Sequence, residues 1–158
     1  ITPGTTILDA FKSAVADSNS IHYSKDGSDL SRSDVVVVVI GEKPYSEGVG
    51  DRDSLHLSDE DLKLLKKVKN SNLPHVVILI SGRPMIINEV IVDSDAFIAA
   101  WLPGTEGLGI SDVMFGDFDF TGTLSMTWPK SMKQIPINYG DTNYDPLFQF
   151  GFGLSYNK

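Results

Sequence analysis

The sequence predicts an α/β fold: a three-layer sandwich of doubly wound type, with a mostly parallel central sheet flanked by helices. Three observations predict it. An unbroken apolar run that ends in a Gly-containing loop occurs three times: Val35 to Ile40 before Gly41, Val76 to Ile80 before Ser81-Gly82-Arg83-Pro84, and Ala96 to Leu102 before Pro103-Gly104. Runs of this length without alternation are strands buried on both faces, as in a parallel sheet covered by helices. Helical periodicity separates the first run from the second and returns after the third. The length, 158 residues, suits one domain that buries roughly 70% of the surface its unfolded chain exposes.

Taken in chain order, Pro3-Gly4 marks an entry, and Ile7, Leu8, Phe11, Ala14 and Val15 recur at helical spacing, which predicts an amphipathic helix within Thr5 to Ala16 capped by Thr5 or Thr6. Ser20 to Tyr23 reads as a brief strand, and Ser24 to Ser33 as a polar loop. After the first apolar run, Ser58 and Asp61 form a capping box. Leu62, Leu65 and Val68 recur three apart, and Asp59, Glu60 and Asp61 precede Lys66, Lys67 and Lys69 in the sense the helix dipole favours. A helix over Asp59 to Asn70 follows. Thr105 to Phe115 is helical again, and Gly116 stops it. From Asp117 to Lys158 the chain is rich in turns and aromatics; Phe148, Phe150, Phe152, Leu154 and Tyr156 alternate as in a half-buried strand or an extended tail. No fixed-period repeat is present, which excludes a solenoid.

Composition removes several function classes. With 13 basic and 21 acidic residues the net charge is −8, which repels nucleic acid and anionic membrane surfaces. No apolar stretch approaches the roughly 18 residues of a membrane span. Cysteine is absent, which excludes disulfides, thiolate metal sites and thiol nucleophiles. The first residue is Ile1, with no initiator Met and no signal peptide, so a processed protein or a piece of a longer one is expected.

In doubly wound sheets, ligands bind outside the carboxyl ends of the strands, so the three Gly-containing loops should line one functional edge. The first, Gly41 to Asp53, carries four carboxylates: Glu42, Glu47, Asp51 and Asp53. Glu47 stands between Ser46 and Gly48, where little bulk hides it, as a general acid requires. The same charges also serve as solvated loop groups, as most exposed acids do, and the residues alone favour that reading. Asp51 and Asp53 lack a His or third carboxylate at ligand spacing, so no metal is expected.

The third loop, Gly104-Thr105-Glu106-Gly107-Leu108-Gly109, has its glycines in the wrong order for a dinucleotide fingerprint, and Glu106 stands where a phosphate would sit. Glu106 is read as favouring the helix dipole, the glycines as allowing close packing, and no cofactor is expected. No G-x-S-x-G elbow is present, and His22, His56 and His75 read as surface or structural residues. Trp101, Trp128 and the alternating phenylalanines are read as packing groups.

Four segments together resemble the second, α/β domain of glycoside hydrolase family 3, the β-glucosidases and exo-acting β-glucan glucohydrolases. They are IGEKPYSEGVGD (40–51), LISGRP (79–84), WLPGTEGLGISDVMFGDFDFTGTLSMTW (101–128) and YGDTNYDPLFQFGFGLSY (139–156), and GTTILDA (4–10) extends the likeness towards the amino end. The resemblance implies a sandwich of about six strands, and it makes residues 1–158 a single carboxyl-terminal domain of a larger enzyme.

In that family a TIM-type barrel supplies an Asp nucleophile. In the glucan glucohydrolase branch the second domain supplies a Glu acid/base after a Pro-Tyr pair, and Glu47, two residues after Tyr45, stands in that place. The implied activity is hydrolysis of β-glucosides or β-glucan oligosaccharides with retention, by a secreted or periplasmic enzyme. The ionised nucleophile of such a pair, about 5 to 5.5 Å away, helps keep the acid protonated. The chain alone is expected to be inactive. The branch clamps its second sugar between two Trp residues that lie before the GTTILDA segment, so that role does not pass to Trp101 or Trp128, and no substrate-binding residue is assigned. The rival expectations are a flavodoxin-like or Rossmann-like nucleotide-binding module working through the Gly104 to Gly109 loop, and a purely structural domain bracing a barrel.

Overall fold

Each of the three apolar runs forms a strand in the computed structural model, which describes residues 3–156. The strands are β1 (Val36–Gly41), β2 (His75–Ile80) and β3 (Ala96–Trp101). They pair in the order β1-β2-β3, all parallel, with Val36 opposite His75 and Val76 opposite Ala96. β2 is central because its middle is apolar on both sides: Val77, Ile78 and Leu79 are fully buried. Alternation then divides the core. Val77 and Leu79 join Val38, Ile40, Leu65, Val68 and Trp128 on one face, and Ile78 joins Phe11 and Ile110 on the other.

The helices are α1 (Ile7–Ala14), α2 (Asp59–Lys69), α3 (Asn88–Asp93) and α4 (Gly107–Phe115). α1 and α4 cover the Ile78 face and meet edge to face through Phe11 and Phe115, 5.4 Å between ring centroids. α2 covers the other face with Leu65 and Val68. Ser58 is its N-cap, as expected, but the pair is not a full capping box: Ser58 Oγ accepts from the Asp61 amide at 3.1 Å and donates to Asp61 Oδ2 at 2.7 Å, so the Asp61 carboxylate holds the Ser58 hydroxyl. Thr6 caps α1 in the same way, accepting from the Asp9 amide, and Gly116 ends α4 in the left-handed conformation at φ 85°.

Two expectations change and two are narrowed. Of the about six strands expected, three form the sheet among the described residues. Ser20 to Tyr23 is not a strand: Ser18–Ser20 is a 3-10 turn in which Asp17 accepts from the Asn19 amide and Ser20 Oγ donates back to the Asp17 carbonyl, so local side-chain bonds replace a ladder. Burial on both faces holds for β2 but not for β1, where Val39 is 43% exposed. The aromatic alternation after Phe148 belongs to an extended tail, pinned by one antiparallel bridge between Trp128 and Phe148 and by the Gly151 amide donating to the Leu124 carbonyl. Phe148 stacks on Phe152 at 4.6 Å, while Phe150 turns outward beside Tyr139.

Trp128 is the pin between this tail and the core. It is 1% exposed, donates from Nε1 to the Met85 carbonyl at 2.7 Å, and meets Phe97 and Phe148 edge to face. It and Trp101, whose ring lies 5.8 Å away, are packing residues, as expected.

Candidate active site

The loops after β1 and β2 meet at the carboxyl edge of the sheet through Glu42. The ladder continues one residue beyond β1, with the Glu42 amide donating to the Ile80 carbonyl at 3.0 Å. This turns the Glu42 side chain under the loop, where it is 4% exposed. A buried carboxylate needs donors, and Glu42 has three. Arg83, from the loop after β2, donates from Nη2 at 2.8 Å and Nε at 3.1 Å to Oε1. Arg52 donates to the same oxygen at 3.1 Å, and the Tyr45 hydroxyl donates to Oε2 at 3.1 Å.

Burial pushes the Glu42 carboxyl up, but hydrogen bonds and charge from Arg83, with Tyr45 and Arg52, outweigh it and hold the group below its ordinary range. Burial and the Glu42 carboxylate push the Tyr45 phenol up, which keeps it a donor. The Arg83 guanidinium is raised by its hydrogen bond to Glu42. Glu42 is therefore ionised and fully engaged, and a group in that state has no proton to give.

Tyr45 extends the contact. The Arg83 guanidinium lies 4.5 Å from its ring centroid, a cation–π arrangement. A Cβ on Gly50 would collide with the Tyr45 ring, and one on Gly82 would lie 2.8 Å from the Tyr45 hydroxyl, so both positions need glycine for this approach. Between Tyr45 and Gly50 the chain makes a tight turn, with the Gly50 amide donating to the Ser46 carbonyl at 3.0 Å and Gly48 at φ 71°. Glu47 sits on this turn, exposed. No side-chain hydrogen bond or ion pair engages it among the described residues. The loop thus separates two carboxylates by role: Glu42 anchors, and Glu47 is presented to solvent. Sequence reasoning does not single out the anchor, although a Glu directly after a buried strand and an Arg in the neighbouring strand's loop are its signal.

The third loop is built differently. The Gly107 amide, at the start of α4, donates to the Thr5 carbonyl at 3.1 Å, and the Thr5 amide donates to the Thr105 carbonyl at 2.9 Å. The segment before α1 therefore occupies the place a phosphate would take. Gly107 allows this approach, since a Cβ there would lie 2.5 Å from the Thr5 carbonyl, whereas Gly109 faces open space. Glu106 occupies the N-cap position without a side-chain capping bond and accepts from Thr105 Oγ1 at 2.9 Å. Trp101 ends β3 at φ 53°, where the β2–β3 register shifts, and its carbonyl accepts from the Ser81 amide at 3.1 Å.

The histidines lie apart from this edge or serve the backbone. His75 is buried at the start of β2, its Nδ1 3.1 Å from the Leu73 carbonyl. The His56 carbonyl accepts from Arg52 at 3.3 Å. Among the described residues no three His, Asp or Glu side chains converge as metal ligands. A hollow lined by Leu65, Lys66, His75 and Val90 lies at the opposite end of β2 from Glu47. No helix is long and apolar enough to cross a membrane among the described residues.

Comparison with known proteins places this geometry in a family. The model of the glycosyl hydrolase family 3 C-terminal domain matches residues 1–156. The crystal structure of an exo-1,3/1,4-β-glucanase from a Pseudoalteromonas species superposes with a TM-score of 0.90 at 43% identity, over 98% of this chain and 21% of that one. A β-xylosidase of Formosa agariphila is 33% identical over 96% of this chain and 25% of its own length. A periplasmic β-glucosidase of Salmonella typhimurium is 32% identical over 79% of this chain and 19% of its own. The chain spans a quarter or less of each of these relatives. With a family model over nearly its whole length, a parallel sheet between helices and a carboxylate-bearing loop at the strand ends, the chain belongs to the C-terminal domains of glycosyl hydrolase family 3.

Proposed function

We propose that this chain is the α/β domain of a retaining, exo-acting β-glucosidase or β-glucan glucohydrolase, and that Glu47 is its acid/base. The observation that carries the reading is the division of labour in the first loop. Ionised Glu42 is paired with two arginines and accepts a hydrogen bond from a tyrosine, while Glu47 is held out on a turn, exposed. An Asp nucleophile on a TIM-type barrel of the same enzyme completes the site. In the first step the nucleophile attacks the anomeric carbon, the bond to the leaving oxygen breaks, and Glu47 gives that oxygen its proton. In the second, Glu47 takes a proton from water, which displaces the nucleophile and restores the starting configuration.

The family likeness supports a sheet of about six strands in the complete α/β domain, and the exposure of Val39 on β1 supports a further element covering that face. Similarity to a glucanase and a periplasmic β-glucosidase supports a β-glucan oligosaccharide or β-glucoside as substrate, and a secreted or periplasmic location. Two activities are compared in the test, that of the 158-residue chain and that of the complete protein carrying it, on an aryl β-glucoside. The chain alone should be inert, and turnover by it would refute the shared cleft. A nucleotide-binding role is disfavoured by the Thr5 carbonyl on the α4 amino end, and calorimetric titration with nucleotides should give no heat.

A further inference from the structure

We propose that Arg83, acting through Glu42 and Tyr45, is a positioning residue for Glu47, so that the loop after β2 sets the aim of the acid carried by the loop after β1. This rests on the reading of Glu47 as the acid/base. A proton donor must be held within about 0.5 Å of its productive place, and the hydrogen bonds within the Ser46–Gly50 turn, which carries Gly at 48 and 50, fix its shape but not its place over the sheet. The structure supplies that placement from outside the loop.

Arg83 is itself fixed. Its carbonyl accepts from Ser81 Oγ at 2.8 Å, and it precedes buried Pro84 and Met85, whose carbonyl holds Trp128. From this base the guanidinium makes two contacts with the first loop. Its fork grips Glu42 at the start of the loop, and its face lies on the Tyr45 ring just before the turn. The other side of the turn closes on the same ring, through Gly50. Arg52 ties the far end of the loop to Glu42 and to the His56 carbonyl. Both ends of the Ser46–Gly50 turn are thereby referred to one guanidinium, and Glu47 lies between them. A buried ion pair contributes little net stability compared with an apolar filling of the same space, so its evident use here is geometric.

The test compares leaving groups in the complete enzyme, reading kcat/KM, which reports the steps up to the glycosyl-enzyme. Glu42→Gln and Arg83→Lys are each measured on an alkyl β-glucoside, whose leaving oxygen needs a proton, and on a 2,4-dinitrophenyl β-glucoside, whose leaving oxygen does not. Glu47→Ala is run beside them. A misaimed acid should cost on the order of 10²-fold on the alkyl substrate and about threefold or less on the dinitrophenyl substrate. Arg83→Lys keeps the charge and loses the fork, so it carries the same test if Glu42→Gln fails to fold.

Equal losses on both substrates, or none on either, would overturn the positioning role. If Glu47→Ala shows the leaving-group dependence and neither Glu42→Gln nor Arg83→Lys does, the positioning role falls while the acid assignment stands. If Glu47→Ala lacks the dependence, the acid assignment falls and the positioning role falls with it.

Discussion

Replacing Trp128 tests how the carboxyl-terminal tail is joined to the sheet. The indole is 1% exposed, lies among Phe97, Trp101 and Phe148, and donates to the carbonyl of Met85, a residue also 1% exposed. Trp128→Ala removes the whole buried side chain and leaves a cavity, a change that costs about 3–5 kcal/mol in protein cores. Trp128→Phe keeps an aromatic ring against Phe97 and Phe148 but removes the donor, leaving the Met85 carbonyl unpaired, at about 1–3 kcal/mol. The expected order is therefore wild type, then Phe, then Ala, with the Phe variant down by about 2 kcal/mol. For a domain of this size that is a Tm lower by roughly 4–8 °C. Urea unfolding of the chain, followed by far-ultraviolet circular dichroism, measures both costs. A Trp128→Phe cost below about 0.5 kcal/mol would refute the role of the indole N–H. Equal costs for the two variants would refute the dependence on ring packing.

Three further outcomes follow from local geometry. The Glu42 carboxyl is held below its ordinary range against the upward push of burial, so the stability it contributes is fully present above the unfolded-state pKa of about 4.3 and is lost as pH falls through the lower folded-state value. Urea unfolding of wild type and Glu42→Gln should therefore converge as the solution is acidified. The comparison must be between those two proteins, because Asp26 and Asp29 are also held low by hydrogen bonds from Ser28 and Ser31. Ser58→Ala should cost about 1 kcal/mol in the same measurement by removing the α2 cap. Gly107→Ala should destabilise because its Cβ meets the Thr5 carbonyl, whereas Gly109→Ala, inside α4 and facing open space, should stabilise by about 0.5–1 kcal/mol; a Tm scan distinguishes the two.

Much of the fold was legible because its signals are long or chemically specific. The apolar runs located β1, β2 and β3 to within a residue or so, although only the central β2 is buried on both faces. Ser58 with Asp61, Thr6 and Gly116 marked helix ends through the side-chain oxygens and the left-handed φ that those ends use. Helix α3 had no such signal: it has six residues, no side-chain cap, and too few turns to show a period. Ser20 to Tyr23 misled because β-branched and aromatic residues favour a strand only where a partner strand pairs with them. The alternation of Phe148, Phe150 and Phe152 predicts one shared buried face, but the tail is too irregular to keep that period: Phe148 and Phe152 stack together while Phe150, 51% exposed, turns outward beside Tyr139.

At the site, the loop residues alone favour solvated charges, and it is the family resemblance of the Pro-Tyr segment that points to Glu47, which the structure leaves exposed on a turn. The buried anchor could not be named, because the Glu42–Arg83 pair joins residues 41 positions apart and exists only once the sheet places two loops side by side.

The central claim, that Glu47 is the acid/base, is tested most directly by azide rescue of Glu47→Ala in the complete protein on a 2,4-dinitrophenyl β-glucoside. That leaving group departs without a proton, so the variant should still form the glycosyl-enzyme and then stall for want of a base. Azide, which needs no deprotonation, should displace the nucleophile, restore turnover and release β-glucosyl azide with retained configuration. A variant that keeps wild-type rates on poorly activated glucosides, or that azide neither accelerates nor converts to the glucosyl azide, would contradict the assignment.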